Sequence, residues 1–373
     1  MPVNETMRLN LLYSSTLVPN THFLLLAMMG MVSVLLFLTG FMLFYLVRKK
    51  KREKQIDKWR PHLNRLLQRA IYFEPEEGVA PSIPIPFRIS RAMSHASFRQ
   101  LLINELVQGK RGLAGAAGAN LVLLFNQLRL GEDAEQKLKS RKWHLQAQGI
   151  QELAIMEQRK SRIRIYRLTD TDHELVRMEA QSALVQLYGF EGLRFLHIID
   201  RPLSEWQQIQ LLQLLARSHG VLPDNTSQWL VSGNESVRIF ALKLIAEHRH
   251  QELHEAVVSC LEDASERVRL QAVRCLREIY LSGTTRWLVR VYAAQTGPCR
   301  QAILETLGHI GSSEDIGFLN QQLTLEENKC KLEAARALTR MGAKGLRYLD
   351  QFPFSDQYPW NEIIQQAKTE WTI

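Results

Sequence analysis

The chain has 373 residues, is 46% hydrophobic and 23% charged, and carries a formal net charge of +9. That balance excludes a disordered chain and leaves room for two domains or one elongated repeat array. The charge is not spread evenly: residues 48–73 hold ten Lys and Arg against Glu53 and Asp57, while residues 74–373 hold 36 basic and 35 acidic side chains, which argues against a nucleic-acid partner.

Residues 1–22 read as a short extracytoplasmic N-terminus. Phe23 to Val47 then run for 25 residues without a charge. At 1.5 Å per residue that run can cross a hydrocarbon core of ~30 Å. A cleaved signal peptide would have a shorter apolar core with basic residues before it. Here Arg48, Lys49, Lys50, Lys51 and Arg52 come directly after it. The reading is a single retained transmembrane helix, with the N-terminus outside and the rest of the chain in the cytoplasm.

Residues 48–73 read as a basic amphipathic juxtamembrane helix. Ile56, Trp59, Leu63, Leu66, Leu67, Ala70 and Ile71 share one face, and Lys58, Arg60, Arg65 and Arg69 share the other. Pro61 is expected to kink or restart it. Arg48 to Arg52, with Lys54 and Trp59, are candidate contacts to anionic lipid, at roughly 1 kcal/mol per basic residue. The alternative is a positive-inside flank whose apolar face packs on the soluble domain. Residues 74–87, EPEEGVAPSIPIPF, read as a stiff extended spacer because of their four prolines. Residues 88–139 are helical but out of phase with the residues after 139, and read as an N-terminal cap. Their apolar stretch from Leu113 to Phe125 is too short for a second span.

From residue 140 the chain repeats. Leu153, Leu184, Leu215, Ile245, Leu276, Leu307 and Leu338 recur at steps of 31, 31, 30, 31, 31 and 31 residues. Seven places before each stands a polar or basic residue: Gln146, Arg177, Gln208, Arg238, Arg269, Arg300 and Lys331. Three places after that a small residue is usual, as Gly149, Ala180, Ala241, Ala272 and Ala334. Each unit has room for two short helices that cannot bury their apolar faces alone, so neighbours must stack. First helices are predicted at 189–199, 252–263, 284–295 and 314–323. Asp170 or Asp172, Asn234 and Asp263 are candidate caps of second helices. The ladder of Arg177, Arg238, Arg269, Arg300 and Lys331 is expected to reach the acid and carbonyls of the preceding turn. The small residue is expected to let adjacent second helices approach. The segment 204–217 keeps the spacing without the Val-Arg signature. In the tail, 346–373, Tyr348, Phe352, Phe354, Tyr358, Trp360 and Trp371 are expected to cover the last repeat.

The pattern in LEDASERVRLQAVRCLREI, residues 261–279, resembles the HEAT-repeat superfamily in its short form, also seen in phycobilisome-lyase-type proteins. Together with the transmembrane helix read from the apolar run, the resemblance implies an all-α chain: that single helix followed by a right-handed α-solenoid of about seven HEAT-like helix pairs over 140–345. Solenoids of this kind offer a long concave surface to protein partners. Resemblance to the di-iron deoxyhypusine hydroxylase would require His-Glu pairs at equivalent repeat positions. His173-Glu174 and His254-Glu255 stand at different phases, so that reading fails.

Two clusters remain. His248, His250 and His254, in EHRHQELHE, are the candidate metal ligands, with His250 and His254 four apart as on one helical face; the alternative is a polar inter-helix turn of exposed side chains that holds no metal. Arg159, Lys160, Arg162, Arg164 and Arg167 form a basic patch, read as a solvated helix face, an acidic-partner surface or a headgroup contact. Cys260, Cys275, Cys299 and Cys330 lack CxxC spacing and read as free buried thiols. The expected function is a membrane-anchored, non-enzymatic scaffold or adaptor without a cofactor. It would sit at a bacterial cytoplasmic membrane and bind protein partners, with a polysaccharide-synthesising membrane glycosyltransferase as one client. The alternatives are a metal- or cofactor-binding HEAT-like enzyme and an anionic-lipid surface sensor.

Overall fold

The computed structural model describes residues 21–75, 80–216, 222–325 and 327–371, and among them every regular element is helical. Residues 1–20, most of the stretch read as extracytoplasmic, lie outside the described residues. The chain divides into two compact units at Asp133–Ala134.

The first unit is organised by α1 (Thr21–Ile71), 51 residues long. Its side chains from Leu25 to Val47 are exposed. Of the two outcomes expected at Pro61, a kink or a restart, the restart does not occur and the helix runs on through the proline. A proline forfeits one backbone hydrogen bond, and the turns beyond it are held by Leu63, Leu66 and Ala70, all buried. They pack against α3 (Ala96–Gly112) and α4 (Gly115–Gln127), after the short α2 (Phe87–Ala92). Asn120 Nδ2, on α4, donates to the Phe73 carbonyl at 2.7 Å and ties down the end of α1. Gln127 holds Ile83 on both sides: its Oε1 accepts from the Ile83 amide at 3.0 Å, and its Nε2 donates to the Ile83 carbonyl at 3.0 Å. Ile83 is fully buried. Residues 80–86 are therefore docked rather than a free spacer, and residues 76–79 of the same stretch lie outside the described residues.

The sequence boundary at 139 also shifts. Residues 88–133 group with α1, and the division falls inside α5 (Gly131–Leu138), whose Ala134 and Leu138 belong to the second core.

The second unit is a solenoid. Its longer helices are α6 (Trp143–Ile155), α8 (Glu174–Tyr188), α9 (Glu205–Ala216), α11 (Glu235–Glu247), α13 (Glu266–Glu278), α15 (Gly297–Ile310) and α17 (Asn328–Arg340). They begin at the repeat steps read from the sequence, and Leu153, Leu184, Leu215, Ile245, Leu276, Leu307 and Leu338 are all buried. The intervening helices are α7 (Arg162–Tyr166), α10 (Thr226–Leu230), α12 (His254–Ser259), α14 (Thr284–Val291), α16 (Ile316–Leu325) and α18 (Ala343–Asp350). Several are completed by single 3₁₀ turns, as at Cys260–Glu262 and Tyr292–Ala294. The helix predicted at 189–199 is wholly 3₁₀, Gly189–His197. Its Gly192 lies so close to the Leu184 carbonyl that no Cβ fits.

Small residues act differently from the expectation at Gly149. A Cβ there would meet Ala134 O at 2.7 Å and Lys137 Cβ at 2.9 Å, so the close approach is to α5, the first helix of its own unit. Neighbouring long helices touch instead at Gly308, where a Cβ would come within 2.8 Å of Ala337 Cα.

The array ends with α19 (Trp360–Trp371), which packs on α17 as a further long helix. Phe352, Phe354 and Trp360 cluster at this end, and Trp360 Nε1 donates to the Leu323 carbonyl at 2.7 Å. Tyr348 and Tyr358 are exposed and take no part in the cover, and the Trp371 side chain lies outside the described residues. All four cysteines are buried; burial pushes the Cys260 thiol up to about 11.

Candidate partner-binding face

The arginine ladder is built into the fold. Arg177, Arg238 and Arg269 each donate through Nη1 to a carbonyl six residues back: Thr171 at 2.8 Å, Ser232 at 2.6 Å and Asp263 at 2.8 Å. Arg300 Nη2 donates to Ala293 O at 2.8 Å, and Lys331 lies 4.7 Å from the Trp360 ring centroid. The acid, however, comes from the following unit rather than the preceding turn. Arg238 Nε meets Asp263 Oδ2 at 3.0 Å, with both side chains mostly buried. Asp263 Oδ1 also accepts from the Ser265 amide at 2.8 Å, which aims the carboxylate back at Arg238. Arg269 Nε likewise donates to Gln295 Oε1 at 2.9 Å in the next unit.

Only Asn234 caps as expected, accepting from the Ser236 amide at 3.0 Å. The α13 cap is Ser265 rather than Asp263, and α8 has His173 at its cap position with no side-chain cap bond. Asp172 instead pairs with Arg201.

The histidines diverge. His248 ends α11 and packs edge-on to Phe190 at 5.1 Å. His250 precedes the 3₁₀ turn Gln251–Leu253, so it shares no helical face with His254. His254 is buried and its Nε2 lies 2.8 Å from Thr284 Oγ1. Among the described residues no group of three or more His, Cys, Asp or Glu is placed to hold a metal. Burial lowers the pKa of His248 and of His254.

The basic patch is partly absorbed by packing. Arg164 pairs with Glu135, and Arg162 stacks 4.8 Å over the Tyr188 ring. The Tyr188 hydroxyl donates to the Arg159 carbonyl at 2.5 Å. Arg159, Lys160 and Arg167 are exposed. Of the lipid candidates, Arg48, Lys49, Lys50, Lys51 and Lys54 are exposed, and the Arg52 side chain lies outside the described residues. Trp59 turns inward, edge-on to Phe98 at 5.1 Å and stacked on His95 at 6.2 Å, so the packed flank, not the lipid contact, describes it.

Curvature sets the remaining surface. Arg267 on α13 reaches Glu205 on α9 at 2.9 Å, two units back, and Glu235 on α11 at 3.7 Å. Side chains two units apart meet only on the inside of a curve, so the long helices line the concave face. There a groove of about 460 Å³ crosses α9, α11 and α13, with Leu212 and Ala246 supplying apolar wall and Lys243, Arg274 and Arg277 supplying charge. Lys243 Nζ donates to Gln208 Oε1 at 2.9 Å, and its pKa is lowered by burial first and then by Arg267 and Arg274, with Glu205 opposing. Arg277 is shared between Glu278 and Glu305, each at 3.1 Å. Among the described residues, Arg249 and Arg274 at the groove form no ion pair. Motif and spacing single out none of these groove residues. The signal that could have found them is the place of Lys243 and Arg274, each eight positions after the first residue of its long helix and off the buried stripe.

Residues 224–305, which carry α11, α13 and most of α15, match the family model for HEAT repeats. No curated protein matches the chain. Solved structures to which the chain is similar include a structural-genomics target from Escherichia coli, at 13% identity over 79% of this chain and 99% of that one, TM-score 0.36. Human deoxyhypusine hydroxylase aligns at 14% identity over 65% and 96%, TM-score 0.29. The CpcE–CpcF complex of phycocyanin lyase from Nostoc aligns at 16% identity over 75% and 98%, TM-score 0.27. Likeness at these scores carries nothing about what this chain does.

Proposed function

We propose that this chain is a membrane-anchored, non-catalytic scaffold that holds a protein partner in the concave face of its HEAT-like solenoid. The observation that carries the reading is the groove across α9, α11 and α13, which is exposed, mixed in polarity and continuous over three repeats. Large concave surfaces of stacked repeats are used mainly for protein binding. The anchor in this reading is α1. It is long and apolar enough to cross a membrane, its side chains from Leu25 to Val47 are exposed, and cations come at once after them. That Lys/Arg asymmetry favours an outside N-terminus and a cytoplasmic solenoid. A polysaccharide-synthesising membrane glycosyltransferase is the client class proposed for such a tether.

The test is a photo-crosslinking residue at Gln271, on the groove wall, in native membranes. Capture of a defined partner from Gln271, and not from the outer-face position Glu252, is expected. Equal capture from both positions, or none from Gln271, removes the reading. Protease added to intact cells is expected to spare the solenoid.

The exposed Arg48, Lys49, Lys50 and Lys51 favour an additional contact with anionic headgroups, at about 1 kcal/mol each. Replacing Lys49, Lys50 and Lys51 by Gln is expected to lower the affinity of the protein for vesicles containing phosphatidylserine. Unchanged affinity removes that contact.

A further inference from the structure

We infer that the concave groove takes an extended acidic segment of its protein partner, with carboxylates spaced about three residues apart. This rests on the scaffold reading and names the chemistry of the partner. The groove is rich in cations that the fold itself does not neutralise. Lys243 donates to a neutral amide, Gln208 Oε1, and forms no ion pair among the described residues, with Glu205 acting on it only at longer range. Arg249 and Arg274 form no ion pair among the described residues. Glu247 and Glu278 also line the groove, but Glu278 is engaged by Arg277. Arg267 is already committed to Glu205 and Glu235 at the helix N-termini. The balance at the groove is thus positive in a solenoid whose remaining charge is close to neutral, and complementarity selects a negative segment.

Geometry selects its form. Lys243 and Arg274 occupy equivalent places on neighbouring helices, so their spacing follows the interhelical distance of about 8–10 Å. A polyproline-type chain rises ~3.1 Å per residue with three residues per turn, so residues i and i+3 lie on one side about 9 Å apart. Such a segment crossing α11 and α13 sets one carboxylate against each cation, while Leu212 and Ala246 meet its apolar residues. In a helical segment residues i and i+3 or i+4 lie nearer 5–6 Å, so an acidic residue at every third position matches both cations only when the segment is extended.

The test uses the full-length protein in detergent micelles and a fluorescein-labelled peptide of four Glu-Pro-Ala repeats. Its controls are a twin with Gln for every Glu and free glutamate at matched charge. The acidic peptide is expected to bind about tenfold more tightly than its Gln twin, and to lose about tenfold in the Lys243→Met, Arg274→Met double variant. A Lys49→Gln, Lys50→Gln, Lys51→Gln variant is expected to bind as the parent does. The inference is overturned if the two peptides bind alike, if glutamate competes as well as the peptide, or if the Lys49–Lys51 variant loses binding while the groove variant keeps it. Circular dichroism melting of the groove variant, with an unchanged midpoint expected, separates lost binding from lost folding. Capture at Gln271 that persists while the two peptides bind alike removes the acidic segment and leaves the scaffold. Loss of both removes the two together.

Discussion

The long helices and the short ones of the solenoid obey different rules. The long helices start at near-constant steps and present one buried aliphatic residue each to the same seam. The intervening helices vary in length and are patched with 3₁₀ turns. The reason lies in what each touches. Most long helices are packed on the long helices before and after them, as α13 is on α11 and α15. Any change of length or phase would therefore propagate through the array. A short helix needs only to cover its own unit. Yet the short helices hold some of the largest buried side chains, including Trp229 on α10. Irregular backbone is thus not the same as weak packing.

Substitutions can break or sharpen that contrast. Trp229 is fully enclosed and its Nε1 donates to His197 Nε2 at 3.1 Å. Trp229→Ala is expected to cost about 3–5 kcal/mol, at least as much as Leu276→Ala on α13 at about 2–5 kcal/mol. Denaturant melts that find Trp229→Ala the milder of the two would show the short helices to be mere cover. Gly308→Ala forces a methyl against Ala337 between α15 and α17 and is expected to cost about 1–3 kcal/mol. An unchanged or raised Tm would mean that the long helices can slide apart freely. Asn234→Ala removes the α11 cap and is expected to cost about 1 kcal/mol; a Gly replacement losing only a few tenths would localise that cost to the cap.

The smallest expected effect is on pH. His248 and His254 have pKa values lowered by burial below the ordinary value of 6.5. The unfolded chain therefore binds their protons first. Their contribution is fully present above about pH 6.5 and is lost as pH falls through that value toward the depressed folded one. Gln at both positions is expected to flatten the fall in Tm between about pH 7 and 5. A slope that stays the same would assign it to other groups.

Much of this was legible in the sequence. The repeat could be counted because each long helix must meet its neighbours at the same depth, so selection of an aliphatic at that depth repeats with the unit. The ladder arginines were visible for the same reason. The carboxylate serving Arg238 was not, since spacing alone does not tell which unit Asp263 faces. Of the two readings of the histidines, the inter-helix turn fits: a four-residue interval implies one helical face only when the backbone is helical. Here a turn separates His250 from His254. Ile83 and Gln127 were not legible at all: nothing local announces that an amide side chain will pair with a distant backbone.

The sequence by itself determined the period, the helical class and the sharp confinement of positive charge beside an apolar run. Each is a one-dimensional property, fixed by local propensity and burial of a recurring stripe. Only the tertiary structure decided which face of the stack curves inward. It alone drew Arg267 to Glu205 across two repeats and left Lys243 and Arg274 in one groove without an ion pair among the described residues. Curvature is the sum of small packing differences between successive pairs, and no single unit of the sequence contains it.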